Sequence, residues 1–151
     1  MVICCIGTPK VLGDSIAPKV ADKLLTANIN AFIYGTTKRP ITALNFLSYY
    51  KHIKENHSND FVIAIDCALG DKENIGKIKI TKKGVSPGKA LNKNLYNIGD
   101  IGILGQVGDI KKDIMEELSY PSMTLIDNLV NKIYNIVINI IDYLELTNKI
   151  I

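Results

Sequence analysis

Residues 61–66 read FVIAID. Five apolar residues in a row, three of them β-branched, predict a strand buried on both faces. Strands of that kind belong to parallel sheets covered by helices. Working outward, residues 2–6 (VICCI) form a similar run that stops at Gly7-Thr8-Pro9, and residues 31–35 (AFIYG) form a third. Gly13-Asp14-Ser15 precedes a helical pattern with Ile16, Val20, Leu24 and Leu25 on one face, and Asp14 or Ser15 is placed to cap it. Pro40 suits a first helical turn, so a second helix is expected through about His52, with Leu44, Leu47 and Ile53 sharing a face. The resulting βαβαβ order predicts right-handed crossovers, with strands 2–6, 31–35 and 61–66 parallel and central.

Downstream the pattern changes. GKIKIT (76–81) alternates apolar and lysine residues, which predicts a more exposed strand over 77–82. GVSPGK (84–89) is turn-rich, DIGILGQV (100–107) reads as a further strand, and 122–147 as one long amphipathic helix. The expected fold is α/β: a three-layer sandwich with a mixed, mostly parallel sheet and helices on both faces, formed by residues 1–151 as one domain.

Composition narrows the function classes. Of 151 residues, 47% are hydrophobic and 22% charged, which suits a packed core and excludes a disordered tail, a collagen or a disulfide scaffold. The net charge of +3 comes from 18 basic and 15 acidic residues that are interspersed, so it indicates neither nucleic acid nor a membrane surface. The 25 isoleucines, 14 asparagines, and 17 lysines against one arginine read as a genome-composition bias. Polar residues, Asp127 and Lys132 among them, interrupt the stretch 123–144, so it cannot span a bilayer. MVICCIG lacks the basic start of a signal peptide, and three cysteines with Cys4 and Cys5 adjacent suggest no disulfide framework. A reduced, cytoplasmic protein is expected. Self-association is left open.

Two carboxylates carry the sharpest chemistry. In an open parallel sheet, ligands bind outside the carboxyl ends of the strands. Asp66 closes the FVIAI run and Asp14 follows the first strand and its loop, so neighbouring strands would bring both into one crevice. Such a pair can share a proton, activate a water or clamp a divalent metal. The plainer readings are a helix cap for Asp14 and a turn residue for Asp66. Cys67 invites a nucleophile reading, but no histidine motif accompanies it, and a buried inert thiol is the better account. His52 and His57, five apart, suit neither one helix face nor a zinc spacing and are read as solvated. Lys79, Lys82, Lys83 and Lys89 read as a solvated strand edge. There is no GxGxxG and no Walker A sequence.

CIGTPKVLGDSIAPKVADKLL, FIYGTTKRPI, FVIAIDCALGDKENIGKIKIT and GVSPGKALNKNLYNIGDIGILGQVG together closely resemble the YyaC-type sporulation proteins of spore-forming Firmicutes. Those are similar in turn to the spore germination protease and share the fold of the hydrogenase maturation proteases. The resemblance implies a peptidase acting on protein or peptide, such as small acid-soluble spore proteins, during sporulation or germination. It places the catalytic aspartates at Asp14 and Asp66, which are also the metal-binding positions of the maturation proteases. No histidine follows His57 to supply the further nickel ligand of those enzymes. Gly7, Thr8 and Gly13, with Pro87, Gly88 and Lys89, are expected to line the substrate cleft, and Lys89 to steady an oxyanion. The competing expectation is a non-catalytic sporulation protein that binds a partner or ligand in the same crevice.

Overall fold

The computed structural model describes residues 1–88 and 96–148. Strands β1 (Val2–Cys5), β2 (Phe32–Tyr34), β3 (Val62–Gly70), β4 (Ile78–Thr81) and β5 (Ile101–Asp109) form one sheet in the order β2-β1-β3-β5-β4. All neighbouring pairs are parallel except β4 with β5. The helices are α1 (Ile16–Thr26), α2 (Phe46–Asn56), α3 (Ile114–Ser119) and α4 (Met123–Asn148).

Strand alternation divides the apolar residues between two cores. Ile3, Cys5, Ile63, Ile65 and Ile103 pack against Val20 and Leu24 of α1 and Ile126, Leu129 and Ile133 of α4. Val2, Cys4 and Ala64 face the other way, toward Phe46 and Ile53 of α2 and toward Ile41, Val85 and Ile98. Helices therefore cover both faces, giving the three-layer α/β sandwich with a mixed, mostly parallel sheet. Ile3, Ile63, Ile65 and Ile103 are fully buried, and cutting any of them to alanine should cost about 2–5 kcal/mol.

Several boundaries depart from the sequence expectation. β2 is short and lies at the sheet edge rather than centrally, with Phe32 exposed, because β3 inserts on the opposite side of β1. The helix expected from Pro40 begins only at Phe46: Ile41 forms a bridge with Ile6, and Asn45 Oδ1 accepts from the Thr42 N–H at 2.8 Å, holding this segment in a turn. β3 does not end at Asp66 but continues beside β5 to Gly70. The unanticipated α3 starts at a cap in which the Asp113 carboxylate accepts from the Glu116 N–H at 2.8 Å.

This topology fixes where a ligand would sit. β1 leads by one crossover to β2 on one side and by the next to β3 on the other, so the winding reverses between β1 and β3. The crevice of an open sheet opens at that point, outside the carboxyl ends of the strands.

Candidate active site

β1 leaves the sheet where β3 carries on. The Ile6 N–H donates to Ile65 O at 2.8 Å, and the next amide, Gly7, turns away to Ile41 O at 2.9 Å. Asp66 therefore lies just beyond the last bond from β1, in mid-strand and 9% exposed. Its Oδ1 accepts from the Cys67 N–H at 2.8 Å.

Asp14 arrives from the other chain segment at this corner, in the 3-10 turn Gly13–Ser15 that leads into α1. Neither Asp14 nor Ser15 caps α1 through its side chain: Ser15 Oγ donates to Leu12 O, and Asp14 Oδ2 accepts backward from the Thr8 N–H at 2.9 Å. Gly7 makes that approach feasible. Its φ is +146°, and a Cβ there would stand 2.1 Å from Asp14 O. Gly13 is also tight, since a Cβ would meet Leu118 O of α3 at 2.8 Å.

Asp14, Asp66 and Cys67 converge, each offering a ligand atom within 4.8 Å of the others. Burial raises the Asp14 carboxyl above its usual range, although the Thr8 amide and the Cys67 thiol oppose the shift. Burial and then the neighbouring Asp14 push Asp66 well up, with the Cys67 amide opposing. The Cys67 thiol is raised well above its ordinary value by burial and by both carboxylates, so it stays neutral and donates to Asp14 Oδ1 at 3.4 Å. Asp14 accepts two hydrogen bonds and Asp66 one, so Asp14 is the better supported anion of the pair. Two carboxylates and a sulfur also form a donor set suited to a borderline divalent cation.

A groove of about 680 Å³ opens from this cluster. Its floor is the uncovered sheet face of β3, β5 and β4, where Asp66 pairs in register with Leu104 and Leu104 with Lys79. Asp66 and Lys79 stand in one row, roughly 10 Å apart across two strand spacings. Thr81, Lys83, Ser86 and Asn97 line the far side. Lys79 and Lys83 are exposed on the edge strand β4 and the turn after it, as the sequence reading of a solvated edge expects, and they also border the groove. The alternation of GKIKIT did place Lys79 and Thr81 on one face, but nothing local shows that β4 lies beside β5.

Among the predicted lining residues, Gly88 borders the groove. Pro87 is buried, while Gly7, Thr8 and Gly13 shape the β1 exit and the seat of Asp14. Lys89 lies outside the described residues. The histidines are elsewhere, beside β2, and His57 is buried rather than solvated.

The family model described as Protein of unknown function (DUF1256) matches residues 1–142. The chain belongs to the DUF1256 family. This DUF1256 chain is 37% identical over 108 residues to a Bacillus subtilis (strain 168) protein named Uncharacterized protein YyaC. The match covers 71% of the chain and 53% of that protein, so the chain spans about half the length of its curated relative. In fold it is similar to the NiFe hydrogenase maturation protease HycI from Thermococcus kodakarensis KOD1, with TM-score 0.60, 17% identity and coverage of 93% and 91%. It is also similar to a peptidyl-tRNA hydrolase, with TM-score 0.54, 11% identity and coverage of 89% and 82%. At these identities the likeness is one of fold, and one fold carries different chemistries.

Proposed function

We propose that this chain is an aspartate-dependent peptidase, acting on a protein or peptide in the cytoplasm of a sporulating or germinating cell. The observation that carries the reading is the pairing of Asp14 and Asp66 beside an open groove, where burial raises both carboxyls. The maturation-protease fold and the YyaC relative support it. Small acid-soluble spore proteins are the substrate class that the sequence resemblance points to.

The chemistry follows from the division of roles. Ionised Asp14, steadied by the Thr8 amide and the Cys67 thiol, takes a proton from a water placed between the carboxyls as the water oxygen attacks the scissile carbonyl. Asp66 gives its proton to the carbonyl oxygen, so no oxyanion is left uncompensated in a poorly hydrated corner. The proton on Asp14 then passes to the leaving nitrogen as the C–N bond breaks, and Asp66 recovers its own when the carbonyl re-forms. A divalent cation, if bound, would be held by Asp14, Asp66 and Cys67 and would supply Lewis-acid polarisation of the carbonyl. The groove floor takes an extended peptide, and Lys79 and Lys83 suit one that carries an acidic side chain.

The binding-only alternative draws on one feature: both histidines lie away from the acid pair, so the cluster has no imidazole beside it. The test is to incubate the whole chain with spore-coat-free extracts and a mixed peptide library, with and without added divalent metal, and read new termini by mass spectrometry. New termini that vanish in the double Asp14→Asn, Asp66→Asn variant support the peptidase. Saturable peptide binding with no new termini supports the binding module.

A further inference from the structure

We infer that Tyr34, His52 and His57 form a binding site for a borderline divalent transition metal such as zinc, at the β2 edge of the sheet, two strands from the central β3 that carries Asp66. The chain has two histidines, and both direct Nε2 at the same atom. Tyr34 Oη lies 2.8 Å from His57 Nε2 and 3.2 Å from His52 Nε2.

The convergence arises from the way α2 ends. On a continuing helix, residues five apart do not share a face. α2 stops at Asn56, and His57 adopts φ −128° and ψ 35°, which turns its ring back toward His52. The two ring centroids stand 6.0 Å apart at 71°. Tyr34, at the end of the edge strand β2, meets both.

His57 is held from behind in the ligating tautomer, its Nδ1 lying 2.8 Å from Asp60 Oδ2. The Asn56 amide nitrogen, in contrast, stands 3.2 Å from His52 Nδ1 as a donor. It has to give up that contact, keeping its bond to His52 O, for His52 Nε2 to bind a cation. A histidine whose Nδ1 is fixed by a carboxylate, leaving Nε2 free to bind, is the usual arrangement behind a zinc-ligating imidazole. Phe32 also packs on His57, with centroids 4.6 Å apart. His57 is 9% exposed, whereas His52 is exposed, so one ligand is rigid and the other gives access.

The two separations from Tyr34 Oη suit a cation. Donors bound at 2.0–2.1 Å in a tetrahedral site stand about 3.3 Å from one another. The His52 to Tyr34 separation already matches that value, and the His57 to Tyr34 contact needs to open by about half an ångström. Imidazole nitrogens select zinc, copper or nickel over magnesium or calcium. The two histidines and the phenol oxygen would give three ligands, leaving a position for water. Without a cation the same atoms form a hydrogen-bonded chain from Asn56 to Asp60, with Asp60 also holding the amino group of Met1.

The test uses the whole chain with Zn²⁺ alone in calorimetry and Cu²⁺ alone in electron paramagnetic resonance, on a background carrying Asp14→Asn and Asp66→Asn to silence the acid cluster. One saturable site with hyperfine coupling to two imidazole nitrogens is expected. Exposed His52→Ala should remove one nitrogen coupling while the fold, read by circular dichroism, is kept. Asp60→Asn should lower affinity about 10- to 100-fold. Absence of saturable binding, or binding whose nitrogen couplings survive His52→Ala, would overturn the assignment.

Discussion

Cys67 Sγ lies 3.4 Å from Asp14 Oδ1 and donates to it across the gap between β3 and the turn before α1. The contact joins residues 53 positions apart and makes the thiol a support for the carboxylate rather than a nucleophile. A thiol between two carboxylates has no cation or imidazole to draw out its proton.

Cys67→Ser should therefore keep turnover within a few-fold, because the hydroxyl still donates to Asp14. Iodoacetamide at pH 8 should label Cys67 slowly, and buried Cys4 and Cys5 not at all until the chain unfolds. Complete inactivation of a folded Cys67→Ser variant would make the thiol the reacting group.

The acid pair should also show in stability. Both folded-state values lie above those of the unfolded chain, so through the carboxylate range the native protein holds more protons than the unfolded chain does. Stability contributed by the pair is then fully present in acid and lost as pH climbs through the raised folded values. Asp66→Asn removes a buried ionisation and should be more stable than wild type at neutral pH by about 1 kcal/mol or more, roughly 2–4 °C in Tm for a chain this size. Urea unfolding from pH 4 to 8 measures the difference. A variant less stable than wild type at pH 7 would contradict the shifted pair.

Lys79 shares a sheet row with Asp66, with Leu104 between them. If it meets an acidic side chain of the substrate, Lys79→Ala should raise KM about 10- to 100-fold with kcat nearly unchanged, the worth of one charge-assisted hydrogen bond. The loss should be smaller at high salt. An unchanged KM for an acidic peptide would remove Lys79 from recognition.

Much of this was legible in the chain. VICCI and FVIAI could hardly be anything but buried parallel strands, and the alternation that sends Cys4 and Cys5 to opposite cores follows from the period of a strand. What escaped depends on neighbours. Asp66 looks like a strand end because it is charged, yet β5 pairs beside it and carries β3 onward. Pro40 looks like a helix start, yet the bridge from Ile41 to Ile6 claims that segment. The cap at Asp113 with Glu116 three residues on was a readable signal for α3. The meeting of His52 with His57 was not, since it depends on where α2 stops.

The most direct measurement is turnover of one cleaved peptide by Asp14→Asn and by Asp66→Asn, each checked for fold by its amide spectrum. Asparagine keeps the size and most hydrogen bonds of aspartate but can neither take nor hold the proton. Each single variant should lose about 10²- to 10⁴-fold in kcat, and the double variant should be no worse than the poorer single one, because the two act as a unit. Full turnover by folded Asp14→Asn would contradict the account, leaving Asp66 without the base proposed for it.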